Sequence, residues 1–440
     1  MTRVKVAQLS TAHPGWRPLV LGGMSAANIA TNFLFQWLVL TVLGPGLMSD
    51  ALFAGMTVPQ LFASIVSASL SHVLVPIFAG EAVEDQRRDA WTLFLMTSAL
   101  FVALTALLTA SAAWWMPITV PGFDATGKRL AVGLAQISLL GMAFTGMSAV
   151  QSALGMARHQ YIWVDAAPLV ANVVAAGLLV AFMPTHGVWA AAWISVLRLM
   201  VQALLLMPIM GRPCAPSAHS PSIRTAWMRL KPILIGASYY KMDPVVDRYL
   251  LSAATPGAMS MLYLAQQLHA AGSQVVVKAL AVPAITQLSK AHKQGLGQAY
   301  RLTLTRTMKL MLCVSVVAIL LVALVGKAVL AWVLVHGAFT VTDAHQLWLM
   351  YLMSAGMLVG GAAGTLTAGA FYAQGDTHTP TWLASVVFTV GIGLKLIMFK
   401  CLGVLGLAAA ISAYYIASLA AQWYVLHKRM ATTDLNAGNL

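Results

Sequence analysis

Residues 18–80 read PLVLGGMSAANIATNFLFQWLVLTVLGPGLMSDALFAGMTVPQLFASIVSASLSHVLVPIFAG, and they contain no lysine, no arginine and one acidic residue, Asp50. A helix needs about 20 predominantly apolar residues to cross a hydrocarbon core of roughly 30 Å. Residues 18–42 and 51–80 each meet that length, and Gly44-Pro45-Gly46 supplies the turn between them. Comparable runs recur at 90–117, 130–157, 161–184, 187–211, 230–252, 256–288, 308–335, 346–374, 379–400 and 403–426. The chain therefore reads as an all-α polytopic membrane protein of about twelve transmembrane helices.

Composition agrees. Of 440 residues, 60% are hydrophobic and 9% charged, and the mean hydropathy is +0.80, outside the range of soluble domains. The net charge of +14 does not indicate nucleic acid, because the basic residues sit between the apolar runs, as topology determinants do. With the N-terminus inside, seventeen lysines and arginines of the tails and loops fall on the cytoplasmic side. Only Lys128, Arg129, Lys327 and Lys400 fall outside. Both termini are thus expected in the cytoplasm. Cys214, Cys313 and Cys401 are too few and too far apart for a disulfide framework or a metal site.

The chain reads as a duplication. Val75-Pro76-Ile77 matches Val282-Pro283-Ala284 at an offset of 207. Gly155-Met156-Ala157 with Gly187-Val188 matches Phe371-Tyr372-Ala373 with Gly403-Val404 at an offset of 216. Two parallel six-helix repeats around a central cavity follow, an architecture that rocks about a site near the bilayer midplane. The expected divisions are a tail at 1–17, a first bundle at 18–211, a linker at 212–229 containing Pro213, Pro216 and Pro221, a second bundle at 230–426 and a tail at 427–440.

Ionisable residues inside a bilayer are costly and point to function. In the seventh span Asp243 and Asp247 share one helical face, Lys241 and Arg248 another, and Pro244 should kink the helix among them. The eighth span carries a polar stripe of Gln267, Gln274 and Lys278. Subtracting 207 places Gln60, Ser64, Ser67 and Ser71 on one face of the second span. Two equivalent stripes are expected to face each other across a hydrophilic cavity, with Arg198 of the sixth span as a further cavity residue. Lys395 is expected to snorkel to an interface beside Lys400. No catalytic motif, GxxxxGK[ST] nucleotide loop, HExxH or metal-ligand spacing is present, so neither an enzyme nor a cofactor is expected.

Gly44-Pro-Gly-Leu-Met-Ser-Asp50, Pro59 and Val75-Pro76 resemble the first-half signature of the MurJ/MviN lipid II flippases. The second half is more similar still, through Val246-Asp247, Leu262-Tyr-Leu-Ala265-Gln-Gln267, Val282-Pro283, His336-Gly-Ala-Phe-Thr340 and Phe371-Tyr-Ala373-Gln-Gly-Asp376-Thr-His-Thr-Pro380. The resemblance covers residues from about 20 to 426 and implies the fold of the multidrug/oligosaccharidyl-lipid/polysaccharide exporter superfamily, in a bacterial inner membrane. It also implies arginines in the first, second and eighth helices that hold a lipid-linked pyrophosphate. Here those positions depart from the pattern, with Ala63 and Ser64 in place of paired arginines in the second span and Gln266-Gln267 in place of an Asp-Arg pair in the eighth.

The reading that results is a flippase for an undecaprenyl-pyrophosphate-linked glycan of exopolysaccharide or O-antigen type, with glycan-assembly proteins as partners. Its headgroup would meet Lys241, Arg248, Lys278, Arg198, Gln267, Gln274, Gln60, Ser64 and Ser67. The alternatives are a lipid II flippase and a small-molecule exporter coupled to H+ or Na+ through Asp50, Asp243 and Asp247.

Overall fold

The computed structural model describes residues 17–80, 83–216 and 221–437, with some side chains, Ser67 and Ser71 among them, outside that description. Residues 1–16 of the expected N-terminal tail and the last three of the C-terminal tail also lie outside it. The described residues form helices α1 (Arg17–Leu43), α2 (Leu47–Ala79), α3 (Val83–Thr119), α4 (Ala125–Ala157), α5 (Tyr161–Met210), α6 (Pro221–Tyr240), α7 (Asp243–Leu251), α8 (Ala258–Val276), α9 (Val282–Lys293), α10 (Gly297–Leu334), α11 (Val341–Met353), α12 (Gly356–Ala373) and α13 (His378–Ala437).

Two of these are helical hairpins. At 1.5 Å per residue, the 50-residue α5 would be about 75 Å long if straight, more than twice the hydrocarbon thickness. Instead its backbone breaks at Gly187 (φ 58°, ψ −141°), and Trp163 Nε1 donates to the Leu205 carbonyl at 2.8 Å, so the limbs lie side by side. The 60-residue α13 breaks in the same way at Gly403 (φ 60°, ψ −139°), with Gly391 packed against the Tyr414 ring. Glycine is required at both turns because the backbone is left-handed there. These are the two glycines related by the 216-residue offset, and they carry nearly the same dihedrals.

Other spans are broken differently. Residues 241–242 interrupt the seventh between α6 and α7, ahead of Pro244, and a π turn at Val277–Ala281 interrupts the eighth just before Pro283. Helices α11 and α12 meet at a 42° bend and make one span. Counting hairpin limbs singly and broken spans once gives twelve crossings. Helix α6 begins at Pro221, a favoured first helical residue, so much of the expected 212–229 linker is helical.

Three apolar clusters show how the halves meet. One draws on both halves near the sparsely charged end, with Leu40, Phe53, Leu134, Met259, Leu262, Phe339 and Leu407 all buried. A second, around Leu74, Phe78, Leu154 and Met210, belongs to the first half and to the start of α6. The third, around Leu288, Met311, Leu366 and Phe371, belongs to the second half alone. The halves therefore share a core at the sparse end and keep separate cores toward the end bearing most of the basic residues.

Candidate functional site

Between the two separate cores lies a polar cleft of three adjoining cavities. The first, about 320 Å3, is lined from α1 by Asn28 and Asn32, from α5 by Asp165, Asn172, Arg198 and Gln202, and from the eighth span by Gln267, Gln274 and Lys278. A deeper pocket of about 180 Å3 shares Asn32, Arg198 and Gln267 with it and adds Gln36, Gln60 and Tyr263. The third, about 240 Å3, extends along α7 to Ser64, Lys241, Arg248 and Gln266. A void of about 520 Å3 lined by Pro45, Asp343 and Leu405 stands apart, near the sparse end.

The polar stripes on α2 and α8 do line one cleft. Gln60 and its offset partner Gln267 both face the deep pocket, and Tyr263 Oη donates to Gln60 Oε1 at 3.1 Å. Ser64 and Lys241 meet directly, the ammonium donating to the Ser64 carbonyl. Gln274 and Lys278 are exposed in the cleft mouth. The Ser67 side chain lies outside the described residues.

Arg198 is anchored by neutral groups. Its Nη1 donates to Asn32 Oδ1 at 2.9 Å and Asn172 Oδ1 at 3.1 Å, and the guanidinium lies 5.4 Å from the Phe35 ring centre. Amides leave its full charge uncompensated. Arg248 is only 3% exposed; it donates from Nε to Thr57 Oγ1 and stacks on Tyr263 at 4.7 Å. Four buried polar atoms around the cleft have no partner among the described residues: Asn28 Oδ1, Gln36 Oε1, Arg198 Nε and Arg248 Nη1. Such atoms are costly unless something fills their valence, and here they are groups open to a polar ligand.

The three acidic candidates lie elsewhere. Asp50 is 2% exposed in the sparse-end seal, where its two oxygens accept the backbone N–H groups of Gly257 and Ser260, each at 2.7 Å. It thus caps α8 from the other half, and its first partner is its own equivalent under the 207 offset. The same seal includes Ala338 N–H to the Thr41 carbonyl at 2.7 Å and Gly122 N–H to Ser252 Oγ at 3.1 Å. Asp243 and Asp247 share a face, as their spacing predicts, but that face is turned to Lys395.

The expectation that Lys395 snorkels is overturned. Its side chain is fully buried, with Nζ 2.7 Å from Asp243 Oδ1 and 2.6 Å from Asp247 Oδ1. Two carboxylates inside the protein outweigh the interface for this ammonium. A reading focused on charges also passes over Asn28, Asn32, Asn172 and Gln202, neutral residues whose placement in apolar spans is itself a signal.

An all-helical bundle of paired halves around a polar cleft is the architecture of the MOP superfamily transporters. Over residues 39–438 the chain matches the lipid II flippase MurJ family, and it belongs to that family. This is a family of transporters, not of enzymes. The chain is 23% identical to the lipid II flippase MurJ of Burkholderia cenocepacia, with 89% of this chain and 80% of that protein aligned. To a probable lipid II flippase MurJ of Rhizobium tropici it is 22% identical, with 89% and 77% aligned.

Among solved structures, an inward closed conformation of the lipid II flippase MurJ superposes with a TM-score of 0.80 at 16% identity, covering 95% of this chain and 90% of that one. An inward-facing MATE family multidrug transporter of the MOP superfamily gives 0.74 at 14%, covering 94% and 98%. These likenesses establish the fold.

Proposed function

We propose that this protein carries a polyprenyl-pyrophosphate-linked glycan from the inner to the outer leaflet of the bacterial cytoplasmic membrane, with the basic end in the cytoplasm. The observation that carries the reading is the cleft itself. It lies between separate cores on the basic side, is closed by a shared core on the other, and is bordered by Arg198, Arg248, Lys241 and Lys278. Charge-assisted hydrogen bonds from such groups suit a pyrophosphate, while the amides of Asn28, Asn32, Asn172 and Gln202 suit sugar hydroxyls. Rocking of the halves would then open the seal and present the headgroup outside while the lipid tail stays in the bilayer.

For the substrate, the names of the relatives support lipid II better than the exopolysaccharide or O-antigen repeat unit expected from the sequence. One observation favours that second reading: Ala63, Ser64 and Gln267 stand where the family resemblance calls for arginine, and Gln266 where it calls for the neighbouring aspartate. Lipid mass spectrometry on a strain depleted of the protein separates them. Accumulated lipid II supports the first substrate, and another undecaprenyl-pyrophosphate oligosaccharide supports the second. No accumulated lipid intermediate would sink the proposal in favour of small-molecule export.

A further inference from the structure

We infer that Asp243 and Asp247 form a monovalent-cation site whose occupant is the chain's own Lys395 ammonium, so that no diffusible cation couples transport there. The inference is independent of which substrate the cleft takes. Two carboxylates one turn apart, on a short helix that restarts after a break at residues 241–242, are what a coupling ion would need. Interrupted membrane helices commonly provide such sites.

Here the position is filled. The ammonium lies within 2.7 Å of an oxygen of each aspartate, and the Tyr414 ring stands 5.7 Å away. Gln266 Nε2 donates to the remaining oxygen of Asp247 at 3.0 Å. Both oxygens of Asp247 are thus engaged, and so are both of Asp50. Arg248, next to Asp247 in sequence, is directed instead to Thr57 and Tyr263, so the Lys395 ammonium is the cation that contacts the pair. Because the ammonium is tethered by its own side chain, it cannot be exchanged during the cycle as a bound ion would be. Gln266 also lines the cleft, which places this fixed charge cluster one side chain from the transport site.

The test is thermal unfolding of the purified full-length protein in NaCl, KCl or choline chloride at matched ionic strength. The wild type should show the same Tm in all three salts, within about 1 °C. Lys395→Ala should melt lower in choline chloride and recover selectively with a small metal cation, by about 5 °C or more at saturation, as expected when a ligand binds only the folded state. Adding Asp243→Asn and Asp247→Asn to that variant should abolish the recovery. A cation-selective rise in the wild-type Tm would overturn the inference, as would a folded Lys395→Ala that ignores every cation. The wild-type arm decides alone if the variant does not fold. Because the readout is Tm, failure here leaves the flippase reading standing.

Discussion

Asp50 and the Asp243–Asp247 pair are acidic groups inside apolar spans, Asp50 and Asp247 buried and Asp243 half-buried, and they are satisfied in opposite ways. Asp50 bridges the two halves and is held chiefly by backbone N–H groups at the first turn of α8. Asp243 and Asp247 stay within the second half and take a lysine as their partner. The difference follows from what each contact must do. In the proposed cycle a seal between halves has to break at every turn, and hydrogen bonds to a helix N-terminus can pass to water when it opens. A buried ion pair cannot be separated cheaply in a membrane, so it belongs where nothing moves apart.

The largest effect should come from breaking the permanent contact. Lys395→Ala leaves the buried Asp247 and the half-buried Asp243 without their cation, and removal of one partner from a buried pair costs about 3–5 kcal/mol. Unfolding in choline chloride should show that loss, while labelling from the sparse end should not change. A variant as stable as the parent would mean that water already reaches the pair.

This contrast also marks what was legible in the sequence. The spans, the hairpin glycines Gly187 and Gly403 and the shared face of Asp243 and Asp247 are local or periodic features, and hydropathy and spacing reveal them. The two polar stripes were legible because the repeat offset pairs Gln60 with Gln267. The partner of Lys395 was not, since it lies 148 and 152 residues away in sequence and no periodicity links spans seven and eleven. Asp50 was recognised as an unusual intramembrane acid, but its role depends on where the α8 N-terminus docks. The π turn before Pro283 left no sign beyond the proline.

Breaking the reversible contact should have a smaller but different consequence. Asp50→Ala removes two charge-assisted hydrogen bonds, each worth about 1.5–3 kcal/mol where its partner stays buried. Because opening returns the N–H groups to water, the expected result is a shift of about 10–100-fold toward the outward-open state rather than unfolding. A cysteine replacing Met259, buried in the shared core, in a background lacking the native cysteines, should react faster with a membrane-impermeant maleimide. Gly337→Ala should act in the same direction. Its backbone is left-handed (φ +60°), and a Cβ there would strike the Thr41 carbonyl across the seal. Unchanged labelling in both variants would show that this contact is not the seal.

In the cleft, Arg198→Ala should reduce headgroup binding by about tenfold or more, the loss of roughly one charge-assisted contact. Lys278→Ala, at an exposed position, should cost less. Arg198→Lys should not restore binding, because a lysine cannot satisfy Asn32 and Asn172 while presenting a second donor edge to the cavity. Equal losses for Arg198→Ala and Lys278→Ala would place the anion at the mouth of the cleft instead of its depth.

A fourth acidic group, Asp376 in the loop between α12 and α13, supplies the solvated counterpart. It meets Arg429 at 2.7 Å, but the arginine side chain is 46% exposed. Its partial burial raises the carboxyl's pKa, yet hydrogen bonds from the Thr379 side chain and backbone, together with the Arg429 guanidinium, outweigh burial and hold it at about 2. A depressed carboxylate stabilises the fold above its unfolded pKa near 4, and that contribution disappears as pH falls from about 4 to about 2. Between pH 5 and 8 it should therefore be constant. Since water and salt screen the pair, Asp376→Asn should cost less than about 1 kcal/mol, and the loss should shrink further in high salt. A cost at neutral pH as large as that of Lys395→Ala would mean that burial is not what separates these ion pairs.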